Sequence, residues 1–292
     1  MSQIPEALRD SLREKHVLFV PGFMNEVSVG NSIYYRSNIQ AAEAELGMGA
    51  TYFPLPSSRP VEENSAIIAD KVNEIYQREG RPVILVGHSK GGAESLHSIL
   101  KYPELILDEK VDRVVLLQSA IGGSPLATPE QPGVGLRVIS YLIPQGLQSL
   151  SPGAAKQLFD EAFGGFVDRL KERFGHEGEN KLKEKIDEVS KKVFYVRSVE
   201  EPQNWSWGTQ IVHRVCGNDL RNHGQSDGLL LIDDQIDQRI GVDLGVIQAD
   251  HIDLAVDGVF SSLSSEDRRA FTRALFASIY SCEWSQPSPP LE

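Results

Sequence analysis

Apolar residues along this chain gather in short continuous runs separated by stretches with helical spacing. The first run, His16-Val17-Leu18-Phe19-Val20, is cut off by Pro21-Gly22 and predicts a buried strand ending in a turn. Residues from Asn31 to Leu46 have helical character, with Gly47 as the stop. Thr51-Tyr52-Phe53, closed by Pro54 and Pro56, predicts a second strand. Glu62 to Arg78 repeats apolar residues at Ile67, Ile68, Val72, Ile75 and Tyr76, the spacing of an amphipathic helix. Pro82 to Val86 is a third strand, Gly91 to Leu100 a helix, and Val111 to Leu117 a fourth strand. Such runs lack the in-out alternation of a half-exposed strand, so both faces of the sheet must be covered. The pattern predicts an α/β fold, a mostly parallel sheet with helices on both faces.

After Gln118 the rhythm breaks. Residues 119–192 begin Gly- and Pro-rich, pass through an apolar stretch from Val134 to Leu150, and end in the charged segment Lys171 to Lys192. That is too long for a plain loop, and it predicts an inserted helical cap or lid within a single domain spanning 1–292. Ala154 to Arg173 reads as a helix whose Leu158, Phe159, Ala162, Phe163, Phe166 and Leu170 share one face and could line a cleft. Strand character resumes at Val193 to Val196, at Ile211 to Val215 and at Val242 to Ile247. Leu229 to Ile232 is a short apolar run after a turn. Ser264 with Asp267 three positions on marks the start of a last helix, to about Tyr280. The Pro-rich tail Gln286 to Pro290 adds no element, and there is no internal repeat.

Composition narrows the function classes. With 29 Lys and Arg against 41 Asp and Glu, the 292-residue chain carries a formal charge of −12. A field of that sign opposes a broad electrostatic grip on nucleic acid or on anionic lipid. Two cysteines, Cys216 and Cys282, define no disulfide framework. The first fifteen residues are too charged for a signal peptide, and no apolar stretch approaches the roughly 20 residues of a membrane span. The expectation is a cytoplasmic protein without an integral membrane segment, or a secreted one if a signal has been trimmed.

The chemistry concentrates at Gly87-His88-Ser89-Lys90-Gly91-Gly92, which follows one predicted strand and opens a predicted helix. This is the context of a G-x-S-x-G nucleophile turn. Ser89 must sit on a strained bend that lifts its hydroxyl above the sheet edge, and bulky residues two positions either side would collide with neighbouring backbone. The backbone N–H of Lys90 then faces a developing oxyanion at a helix N-terminus. A serine nucleophile needs a base and an orienting acid. Asp227, in the turn Gly224 to Gly228, and His251, in Ala249 to Asp253, follow Ser89 in the order acid, base. His223 is the rival base, while His16, His88, His97, His176 and His213 read as structural or solvated. Asp219, Asp233, Asp234 and Asp250 are the alternative acids. Phe23, after Pro21-Gly22, is the candidate second oxyanion donor through its backbone N–H.

At these residues the chain resembles the bacterial triacylglycerol lipases of the α/β-hydrolase superfamily. Val20-Pro21-Gly22-Phe23 stands where those lipases have their oxyanion loop, and Gly87 to Gly92 matches their nucleophile turn. Gly123-Ser124-Pro125-Leu126-Ala127 is similar to the segment leading into their lid. Arg221 to Gly228 is similar to their acid loop, and His251-Ile252-Asp253 to their His-Leu-Asp. The resemblance runs from about Val17 to Val256. It implies an α/β-hydrolase fold and an ester hydrolase acting on hydrophobic acyl esters through Ser89, Asp227 and His251. Pro21 departs from the usual His, and Lys90 from the usual Gln. The resemblance also suggests a structural calcium near Asp253, but Glu200, Glu201 and Asp219 supply no recognisable partner carboxylate. No cofactor is therefore expected. A thioesterase or an intracellular polyester depolymerase on the same triad is the alternative, and a non-catalytic binding protein the remaining one.

Overall fold

The computed structural model describes residues 5–23, 34–127, 144–216, 220, 223–258 and 260–281. Among them, six strands form one sheet: β1 (His16–Val20), β2 (Gly49–Tyr52), β3 (Val83–His88), β4 (Val111–Leu117), β5 (Val193–Val199) and β6 (Val242–Gln248). Their spatial order is β2-β1-β3-β4-β5-β6, and every pairing is parallel. Each strand therefore points its carboxyl end to the same edge, where ligands of open α/β sheets bind.

The continuous apolar runs divide between two cores. Leu18, Val20, Val83, Leu85, Val114, Leu116, Val193 and Tyr195 face one side. There they pack with α3 (Val61–Glu79), α4 (Lys90–Lys101) and α5 (Pro152–Phe174). Val17, Phe19, Ile84, Val86, Val115, Leu117, Phe194 and Val196 face the other. That side is covered by Leu12 of α1 (Glu6–Arg13), by α2 (Arg36–Gln40) with the π-helical turn Ala41–Glu45 that continues it, and by α8 (Ser265–Ser281). Period-2 side-chain direction thus sends successive apolar residues of one run to opposite cores.

Several boundaries differ from the sequence expectation. Ile211 to Val215 is no strand but part of helix α7 (Trp207–Cys216). β-branched residues suggested extension there, whereas Ser206 accepts a hydrogen bond from the Thr209 N–H at 3.4 Å and so caps a helix start. Leu229 to Ile232 contributes one antiparallel bridge, Ser226 with Leu231, followed by a 3-10 turn at Ile232–Gln235. The helix expected over Ala154–Arg173 is α5. Its Leu158, Phe159, Ala162, Phe166 and Leu170 are buried against α4 and the sheet, and Phe159 also borders a surface cleft with Ile121, Pro152 and Asp234. α6 (Glu179–Ser190) returns the chain to β5 through its buried Ile186 and Val189. Ser264 and Asp267 do form a reciprocal capping pair at α8, each side chain accepting the other's backbone N–H at 3.1 Å. Residues 128–143 of the cap or lid expected over 119–192, the Asn31 end of the helix expected over Asn31 to Leu46, Asp219, Cys282 and the Pro-rich tail lie outside the described residues. No helix among the described residues is long and apolar enough to cross a membrane.

Candidate active site

Ser89 sits between the end of β3 and the first residue of α4, with φ 56° and ψ −125°. A non-glycine residue at positive φ is held there only when its surroundings overdetermine it. Here Ser89 N–H donates to the Leu117 carbonyl of β4, and the Ser89 carbonyl accepts from Ala120 and Gly92 N–H. The flanking glycines are sterically required. A Cβ on Gly87 would fall 2.5 Å from the Gly91 carbonyl oxygen, and one on Gly91 would overlap the Pro21 and Val20 carbonyls. The bend leaves Ser89 half-buried while His88 and Lys90 on either side are buried.

His251 follows β6 and turns its imidazole to Ser89: Nε2 lies 2.9 Å from Ser89 Oγ, and Nδ1 lies 2.8 Å from Asp227 Oδ2. Asp227 is fully buried, and its Oδ1 accepts the backbone N–H groups of Leu229 at 3.0 Å and Leu230 at 2.8 Å. These bonds fix the carboxylate plane and satisfy the oxygen that His251 does not use. A backbone bond from His251 N–H to the Asp227 carbonyl, 2.9 Å, ties the two loops together. The Asp227 loop is in turn anchored to the end of β5, since Glu200 N–H donates to the Ser226 carbonyl at 3.0 Å. Three residues far apart in sequence are therefore delivered to one edge by β3, β5 and β6.

The N–H of Lys90 lies in the first turn of α4, where the helix dipole favours a negative charge. Phe23, half-buried, packs against a small apolar cluster of Ala120, Leu126, Ala127, Leu150, Leu220 and Leu230, with Leu229 and Leu231 at its rim. Ser124 joins this cluster to the acid loop, its hydroxyl donating to the Leu229 carbonyl at 2.6 Å.

The competing residues are engaged elsewhere. His223 is exposed, and His176 lies in an exposed 3-10 turn beyond α5. His213 is on α7, its ring 4.7 Å from that of Trp205. His16 bonds Glu79 and Thr51, at 2.8 and 2.9 Å. His97 is held neutral, its pKa lowered to about 4 by burial and by Lys101 and Arg169. Burial and then the neighbouring His251 bring His88 down to about 3. Asp250, raised by burial, accepts the Ser206 and Ile252 N–H groups. Burial and then Asp233 raise Asp234. Asp253 spends both oxygens on Ser261 and Ser262, and the buried Arg268 donates to its carbonyl at 3.0 Å. Among the described residues no cluster of three His, Cys, Asp or Glu side chains could hold a metal.

The sequence reading overlooked the Lys90 side chain. It is buried in an ion pair with Glu94, and its ammonium also donates to the Arg59 carbonyl at 2.9 Å. Asn64 donates to Glu94 at 2.6 Å and to the Pro56 carbonyl at 2.9 Å. The pair thus pins the loop between β2 and α3 beside the nucleophile turn. An i, i+4 Lys-Glu spacing at the start of a helix with apolar neighbours was the available signal. Lys90→Met, which removes the ammonium from beside the buried Glu94 carboxylate, is expected to cost about 3–5 kcal/mol. K90M/E94Q should recover most of that, since the glutamine carbonyl still accepts from Asn64. Urea unfolding of the two variants checks this, and equal losses in both would refute it.

No protein-family model matches the chain. A lipase from Bacillus licheniformis in its mature form superposes with a TM-score of 0.61 at 21% identity, covering 89% of this chain and 91% of that one. A metagenomic carboxyl esterase gives 0.67 at 20% identity, covering 92% of this chain and 76% of that one. The chain has the α/β-hydrolase fold. Its structural neighbours include bacterial lipases and esterases. A local sequence match to phosphatidylcholine-sterol acyltransferase of Rattus norvegicus is 36% identical over 66 residues, 23% of this chain. It spans only 15% of that acyltransferase's length. The mouse protein matches at 39% over 57 residues, 20% of this chain and 13% of the mouse protein.

Proposed function

We propose that this α/β-hydrolase-fold chain is a serine carboxylic-ester hydrolase acting on hydrophobic acyl esters. The observation that carries the reading is the unbroken Ser89–His251–Asp227 chain, 2.9 and 2.8 Å, on a strained strand-to-helix bend. His251 Nε2 takes the Ser89 proton as Oγ bonds to the ester carbonyl carbon. The carbonyl electrons move to oxygen, where the N–H groups of Lys90 and Phe23 receive the negative charge, each such donor being worth roughly 3 kcal/mol. Collapse of this intermediate breaks the bond to the leaving alcohol, which departs with the proton from His251. Water then repeats the sequence on the acyl-enzyme and releases the acid. Asp227 keeps the His251 hydrogen on Nδ1 and stabilises the imidazolium.

The apolar cluster beside Phe23 supports an acyl rather than a sugar or peptide substrate, and the −12 charge favours neutral esters over anionic surfaces. A series of p-nitrophenyl esters of rising acyl length, run beside the matching acyl thioesters, tests the assignment. Turnover that rises with acyl length and exceeds that of the thioesters is the expected result. Preference for thioesters would move the chain to the thioesterase reading, and preference for an insoluble polyester to a depolymerase. The local likeness to an acyltransferase favours one further reading, capture of the acyl-enzyme by an alcohol. Ester product formed on adding a hydrophobic alcohol would register it.

A further inference from the structure

Around the three candidate catalytic residues lies a second set of buried polar groups whose hydrogen-bond directions are fixed by the backbone at both ends. Gly22 N–H donates to the Tyr34 hydroxyl at 2.7 Å. Tyr34 Oη lies 2.6 Å from His88 Nδ1, and His88 Nε2 lies 2.7 Å from the His251 carbonyl and 3.2 Å from Gln118 Oε1. An amide N–H only donates and a carbonyl only accepts. Tyr34, already accepting from Gly22, must give its single hydrogen to His88 Nδ1. His88 then carries its own hydrogen on Nε2 and gives it to the His251 carbonyl. A cationic His88 would aim two N–H donors, its own and that of Gly22, at one hydroxyl and leave the phenolic hydrogen with no acceptor among the described residues.

Gln118 extends the set on the other side. It is fully buried at the end of β4 with φ 46°, a left-handed backbone that glutamine adopts only under constraint. Its amide donates to the Asp250 carbonyl at 2.7 Å and to Ser198 Oγ at 2.5 Å. Ser198 Oγ in turn lies 3.4 Å from Asp227 Oδ2. The set therefore touches the segment carrying Phe23, the strand carrying Ser89, the two residues of the His251 turn and the buried acid. None of its members reaches Ser89 Oγ.

We propose that Tyr34, His88 and Gln118 are positioning residues that hold the Phe23 segment and the His251 turn in register with Ser89 by a one-way hydrogen-bond chain. The inference rests on the hydrolase reading. Tyr34 and His88 set the distance between the second oxyanion donor and the base. Gln118, with His88, grips consecutive carbonyls of the base turn, so the imidazole cannot swing about its backbone. Displacements of about 1 Å at such a site cost on the order of 100-fold in rate.

The test normalises rate to correctly assembled sites. Active sites are counted by stoichiometric fluorophosphonate labelling, and kcat for a short p-nitrophenyl ester is expressed per labelled site. In Tyr34→Phe, which keeps the ring and removes the hydroxyl, kcat per site should fall about 10- to 100-fold with KM little changed. A purely structural role would lower the number of labelled sites and leave kcat per site at the wild-type value, and that result overturns the proposal. Gln118→Met, which removes the grip on Asp250, gives the same readout if Tyr34→Phe does not accumulate. Wild-type protein that takes no label at Ser89 sinks the hydrolase reading itself, and the positioning role with it. Labelled wild-type protein with unaltered variants sinks only the latter.

Discussion

Ser89→Ala should abolish measurable turnover of p-nitrophenyl esters, with kcat reduced by about 10⁶-fold. The size follows from what the hydroxyl does. It is the group that His251 Nε2 faces at 2.9 Å, and on the proposed mechanism no acyl-enzyme forms without it. What remains is direct attack by water, aided by the Lys90 and Phe23 N–H groups, and that residue of catalysis is small. The fold should tolerate the change. Ser89 holds its bend through backbone bonds to Leu117, Ala120 and Gly92, none of which needs the side chain. Alanine at φ 56° remains strained, so the melting temperature should stay within a few degrees of the parent. Steady-state assays with a parallel thermal melt decide the matter. A folded variant that keeps full activity would show that the ester chemistry happens elsewhere.

Asp227→Asn should cost about 10⁴-fold in kcat, and the surrounding hydrogen bonds give the reason. The two backbone N–H groups of Leu229 and Leu230 require an acceptor at the position of Oδ1. An asparagine must therefore place its carbonyl oxygen there and turn its amide toward His251 Nδ1. Facing a donor, Nδ1 has to accept, and the imidazole hydrogen moves to Nε2. In that tautomer His251 cannot take the Ser89 proton. The same substitution leaves shape and packing almost unchanged, so the loss should appear in kcat with little effect on stability. Activity of the variant should rise with pH as hydroxide substitutes for the missing base. A loss below tenfold would remove Asp227 from the acid role and return attention to Asp250.

The sheet was the most legible part of the chain, because burial on both faces leaves unbroken apolar runs that little else produces. Val83 to Val86 and Val114 to Leu117 are such runs, and both lie in strands. Ile211 to Val215 misled through its β-branched residues, since intrinsic preference yields to tertiary context, here a Ser206-capped helix. The apolar stripe of α5 was visible, but a stripe does not say which neighbour it meets. It meets α4 and the sheet. At the site, Ser89, Asp227 and His251 could be selected by turn context and chain order, and the structure brings them together. Tyr34 and Gln118 could not be selected that way. Their partners are 12 to 132 residues away, and such contacts leave no local pattern.

The parallel sheet has a consequence for the order in which this molecule becomes competent. Ser89 and His251 are 162 residues apart in sequence, and the base rides on β6, the last strand and one edge of the sheet. Parallel pairing offers no hairpin to nucleate that edge locally, so its docking is a long-range closure paid for in chain entropy. A growing or refolding chain can complete the bend around Ser89, which needs only β1, β3, β4 and α4, well before a base arrives. On the proposed reading, until β6 seats beside β5 the candidate nucleophile is present but unarmed, and reactivity belongs to the finished fold and not to its intermediates.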